Sequence, residues 1–139
     1  MVFLACTPSK QRVEEAPPPQ IIVQLTRDLQ EAGIPTKAER LQSLREFPGC
    51  EDAQFRYRLR FSGDFVNVSR FETEAEARAC LGEFRNTVLK AGERAWEQMG
   101  KDISTHGPWL FFFPPDHEGE DRRARVLSIL RSANGAPQK

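Results

Sequence analysis

The chain has 139 residues. That is enough for one domain with tails, and for a core burying roughly two-thirds of the unfolded surface without a metal or disulfide staple. Twenty Lys and Arg balance twenty Asp and Glu, so composition excludes the broadly basic surface of a non-specific nucleic-acid binder and leaves room only for a local basic stripe. No apolar run has the length of a membrane-spanning helix, and no internal repeat is visible.

Residues 1–19 differ in composition from the rest. Val2-Phe3-Leu4-Ala5-Cys6 is apolar and ends in a small residue before a cysteine. Thr7 to Pro19 is polar and proline-rich without periodicity, as in a flexible tether whose triple proline, Pro17-Pro18-Pro19, is stiffest. Leu4-Ala5-Cys6 and this spacer resemble the cleavage box of bacterial lipoproteins, with Phe3 where that box usually has Leu. The resemblance implies that Cys6 carries lipid, that residues 1–19 are a truncated signal and tether, and that the protein sits in the bacterial cell envelope on a membrane anchor. Codons upstream of Met1 are then expected to encode a basic segment and an apolar stretch of about 7–15 residues. The alternative is a cytoplasmic N-terminus with an ordinary cysteine.

Residues 20–134 should form one domain. A first helix is expected over Ile21–Ala32, with Ile22, Leu25, Leu29 and Ala32 as its apolar stripe and Gly33 as its left-handed cap. Thr36-Lys37-Ala38-Glu39 has the form of a capping box, so a short helix through Leu41 and Leu44 competes with an extended segment. Phe47 to Asp52 is a loop.

Gln54–Phe61 alternates. Phe55, Tyr57, Leu59 and Phe61 face one way, and Arg56, Arg58 and Arg60 the other, as in a half-buried strand. Ser62-Gly63-Asp64 should turn the chain into a second strand, Phe65–Phe71, making an antiparallel hairpin. The period then changes at Thr73-Glu74-Ala75-Glu76, a capping box that opens a helix with Ala77, Leu81, Phe84 and Val88 at helical spacing and Cys80 beside them. Ala91–Gly100 is ambiguous, and Ile103 can begin an extended segment. Trp109 to Phe113, five large apolar residues between prolines, reads as a central strand buried on both faces. A last helix, capped by Asp116, carries Val126, Ile129, Leu130 and Ala133, and residues 135–139 are a tail.

The order α-β-β-α-β-α predicts an α+β domain: a small, mostly antiparallel sheet with helices on one face. The second strand, its helix and Trp109–Phe113 would make a right-handed split crossover. The order resembles a ferredoxin-like fold with an irregular or missing first strand. Residues 21–134 also resemble a type of small, uncharacterised bacterial lipoprotein domain. That likeness is architectural and brings no activity with it.

Several constellations can carry chemistry. Arg56, Arg58 and Arg60 form a stripe that can meet an anionic ligand or acidic partner, although a solvated outer face explains it as well. Gly63 to Val68 has a partial likeness to the aromatic strand motif of RNA-recognition domains, but Asn67 and Ser69 stand where aromatic or apolar residues belong. Nucleic acid is therefore not the expected partner. Asp116-His117-Glu118-Gly119-Glu120-Asp121 is acidic but fits no metal-ligand spacing, and its acids suit a helix start, so no metal or cofactor is expected. Cys50 or Cys80 with His106 can be imagined as nucleophile and base, yet no catalytic motif accompanies them, and the chain reads as a non-enzyme. With Cys6 modified, Cys50 and Cys80 remain. They form either a disulfide or two independent thiols. The function that follows is binding of an unknown protein or envelope ligand. The alternative is an intracellular module that binds nucleic acid or an anion through the arginine face.

Overall fold

The computed structural model describes residues 17–42, 50–114 and 120–133. Helix α1 (Gln20–Glu31) is followed by strands β1 (Lys37–Arg40), β2 (Phe55–Phe61) and β3 (Asp64–Arg70). Helices α2 (Glu74–Leu89) and α3 (Glu93–Met99) and one 3-10 turn lead to strands β4 (Ile103–His106) and β5 (Trp109–Phe112), and helix α4 (Glu120–Ala133) closes the order. The five strands form one sheet in the order β1-β2-β3-β5-β4, antiparallel at every pairing. The domain is α+β, and the expected helix and strand order is kept, with β1 and β4 added at the two edges.

Local chemistry explains most boundaries. Helix α1 starts at Pro19, whose carbonyl accepts from the N–H groups of Ile22 and Val23, and Gly33 takes φ +86° just past its end. Residues 37–40 adopt the extended alternative, and the helical reading of Thr36-Glu39 fails. The Thr36 hydroxyl donates to the Ile34 carbonyl instead of accepting from Glu39. The hairpin turn is tighter than expected. Phe61 pairs directly with Asp64, so only Ser62 (φ +32°) and Gly63 (φ +79°) lie in the turn, both at the positive φ that a type I′ turn requires. Asp64 is thereby a strand residue.

The capping box of α2 forms as the sequence predicts on one side: Thr73 Oγ1 accepts from the Glu76 N–H at 3.2 Å. The returning arm is displaced by one residue, with Glu76 Oε1 accepting from the Glu72 N–H at 3.2 Å. Ala77, Cys80, Phe84 and Val88 are buried along α2, and Leu81 is half-buried at the rim of that stripe.

The helices lie on both faces of the sheet, which corrects the one-face layout. Ile22, Leu25 and Leu29 of α1 and Val126 and Leu130 of α4 join Tyr57, Leu59, Val66, Val68 and Phe111 in one core. Helix α2 closes a second core on the opposite face with Ile103, Leu110 and Phe112, and Trp96 of α3 meets Phe84 edge-on at 6.4 Å between centroids. The physical cause is β5 itself. Trp109 and Phe111 point one way and Leu110 and Phe112 the other, so each face needs cover.

The split crossover ends one strand away from the expected place: it joins β3 to β4, which run parallel with β5 between them, and not to Trp109–Phe113. The chain returns from α2 and α3 through β4 first, and the β4–β5 hairpin reverses it, so β5 lies antiparallel to β3. The five-stranded order β1-β2-β3-β5-β4 does not confirm the ferredoxin-like likeness.

Candidate functional site

Cys50 and Cys80 are joined by a disulfide, with Cα atoms 5.9 Å apart. The bond ties the segment entering β2 to the buried side of α2. While it is closed, neither sulfur is a nucleophile, so the pairing of Cys50 or Cys80 with His106 as nucleophile and base has no thiol to act with. A cleft of about 190 Å³ beside the bond is lined by Glu51, Asp52, Glu76 and Glu83. No group of three or more His, Cys, Asp or Glu suited to a metal ion occurs among the described residues. Cys6, residues 7–16 of its tether and residues 116–119 of the acidic run lie outside the described residues.

The arginine stripe falls on one face as the alternation predicts, but it is not a uniform solvated surface. Arg56 is buried, Arg58 half-buried and Arg60 exposed. Arg58 Nε donates to Asn67 Oδ1 at 2.9 Å, and its guanidinium stands 3.9 Å above the Phe65 ring. Arg60 Nε donates to Glu39 Oε1 at 2.9 Å, across the β1–β2 register. Arg58 and Arg60 are thus engaged by neighbours and Arg56 is buried, which reduces what the stripe can offer an anion. Phe65 sits under Arg58, and Asn67 and Ser69 are buried, so the partial RNA-recognition likeness does not present an open aromatic platform.

The third feature was not legible in the sequence. Arg123 of α4 is buried and makes a two-pronged ion pair with Asp64 at the start of β3, Nε to Oδ2 at 2.8 Å and Nη2 to Oδ1 at 2.9 Å. A second carboxylate, Asp102, approaches Nη1 at 3.6 Å, and the guanidinium also lies 5.2 Å from the centre of the Phe113 ring. This bidentate geometry is the strong form of charged pairing. It anchors the start of α4 to the β2–β3 hairpin. No protein-family model, curated protein or solved structure matches the chain. The site must therefore be read from its own chemistry.

Beside the ion pair opens a cavity of about 270 Å³ between α4 and the β4 edge. Phe113, Ala124 and Leu127 give it apolar walls; Ser104, Lys101 and Asp102 line its strand side. The mixture of an apolar interior and a few fixed polar groups suits recognition of a ligand side chain. The signal in the sequence was faint: Asp64 stood in a turn motif, Asp102 in an ambiguous segment, and Arg123 among several charges of a helix start.

Proposed function

We propose that this protein is a lipid-anchored domain of the bacterial cell envelope that acts by binding a partner, without catalysis of its own. The observation that carries the reading is the Cys50–Cys80 bond. Disulfides persist in oxidising compartments and are rare in the cytosol. A bond spanning 30 positions that clamps an entry loop to a core helix acts as a structural cross-link. It leaves Cys6 as the odd thiol, set after Leu4-Ala5 and before a proline-rich spacer, where an acyl anchor would tether the domain.

The binding half of the proposal is supported by the cavity beside α4 and by the buried charges that hold its rim in place. The intracellular alternative, an anion bound by Arg56, Arg58 and Arg60, is weakened by the engagement of Arg58 and Arg60 within the fold.

The test is metabolic labelling with an alkyne fatty acid in the native host. Label in the wild-type chain, lost in Cys6→Ser while Cys50 and Cys80 stay bonded, is the expected result. An unlabelled chain recovered in the cytosolic fraction would remove the address.

A further inference from the structure

The two edges of the sheet differ in chemistry. Edge strand β1 reads Lys37-Ala38-Glu39-Arg40, three charges in four residues, the usual protection of an exposed edge. Edge strand β4 reads Ile103-Ser104-Thr105-His106, with no Lys, Arg, Asp, Glu or Pro. The unprotected edge is also the one that borders the cavity.

The ladder fixes which main-chain groups are free there. The Phe113 N–H donates to the Asp102 carbonyl at 2.9 Å, and the β4–β5 register continues as Ile103 with Phe112 through His106 with Trp109. Hydrogen-bonded pairs alternate in an antiparallel ladder. Ser104 and His106 therefore turn their N–H and C=O groups towards β5, and Ile103 and Thr105 turn theirs outward. Ser104 opposes Phe111, so its side chain shares the α4 face, and it lines the cavity together with Phe113, Ala124 and Leu127. A strand added beside β4 would send every second side chain to that same face.

We infer that the groove between β4 and α4 binds an extended segment of a partner polypeptide, by addition to the β4 edge. The outward groups of Ile103 and Thr105 pair with its main chain, and an apolar side chain enters the cavity. A second copy of this chain is a poorer occupant. Its own β4 would offer Ser104 and His106 on the α4 side, and the apolar cavity would stay unfilled. The inference rests on the binding half of the proposed function and not on the anchor. Cys6 labelling without peptide binding would remove the groove alone, and peptide binding without label would remove the address alone.

The experiment pans a random octapeptide library displayed on phage against the full chain with its disulfide intact. The enriched peptide is then synthesised for fluorescence anisotropy and amide hydrogen exchange. Enriched sequences are expected to carry an apolar residue within an alternating, proline-free run, and the bound peptide should slow exchange at Ile103 and Thr105. Thr105→Pro removes an outward N–H without breaking the β5 ladder. Ala124→Arg, at an exposed wall position, fills the cavity mouth. Each should weaken binding at least tenfold, while Lys37→Ala on the opposite edge leaves it unchanged. Circular dichroism checks each fold, and Ala124→Arg alone decides if Thr105→Pro does not fold. Failure to enrich any peptide, or affinity unchanged from the wild-type chain in both groove variants, overturns the inference. So does a dimer in sedimentation that Thr105→Pro abolishes, because the occupant is then a second copy.

Discussion

Arg123 and Asp64 stand 59 positions apart and meet as a buried, bidentate pair. Removing Asp64 takes both short hydrogen bonds from Arg123 in a poorly solvated site and leaves it the more distant Asp102 carboxylate, at 3.6 Å. Asp64→Ala is expected to destabilise the fold by about 3–5 kcal/mol in urea titrations. Replacing both partners, Asp64→Leu with Arg123→Met, should recover part of that loss, because two apolar side chains of similar volume need no partner, while Asp102 loses its nearby cation. A double variant as unstable as Asp64→Ala would show that packing around the helix start, and not the charges, dominates there. At the surface the balance is different. Arg78 and Glu74 form an i,i+4 pair whose side chains are 70% and 51% exposed, so Arg78→Ala should change stability by about 0.5 kcal/mol or less.

Helix α2 carries the counterpart of that experiment. Phe84 is buried against the edges of Phe112, at 5.7 Å, and Trp96. Phe84→Ala should cost about 3–5 kcal/mol, six or more times the effect of Arg78→Ala on the same helix, and similar small values for both would contradict the assigned core face. Elements of this kind were legible because their signals are local. The Thr73 capping box, the alternation of Phe55 to Phe61 and the stripe of α1 each lie within one element. The layers were not, although the clue was present. Five apolar residues in a row at Trp109–Phe113 require cover on two faces, and a one-face arrangement leaves Leu110 and Phe112 exposed. Edge strand β4 gave almost no signal, since Ile103 is its only large apolar residue, and pairing with β5 decides its conformation. Asp64 was hidden in turn chemistry because its partner lies on a helix far along the chain.

For the whole molecule, the two cores are separated by the sheet and depend on different ties. The α1–α4 core is fastened by Arg123–Asp64 and by Arg125, which donates from Nη2 to the Ala32 carbonyl at the end of α1. The α2 core is fastened by the Cys50–Cys80 bond, which closes a loop of 30 positions. Reduction should lower stability by roughly 2–4 kcal/mol in the chain-entropy account, read as a shift of the denaturation midpoint with and without reductant. The same bond, with Cys6, supports the proposed envelope address, and one measurement addresses all three cysteines. Protein isolated from its native compartment is denatured, alkylated without reductant and weighed intact by mass spectrometry. The account predicts a chain in which Cys50 and Cys80 are unalkylated and Cys6 carries a lipid mass. Three alkylated thiols on an unmodified chain would contradict it.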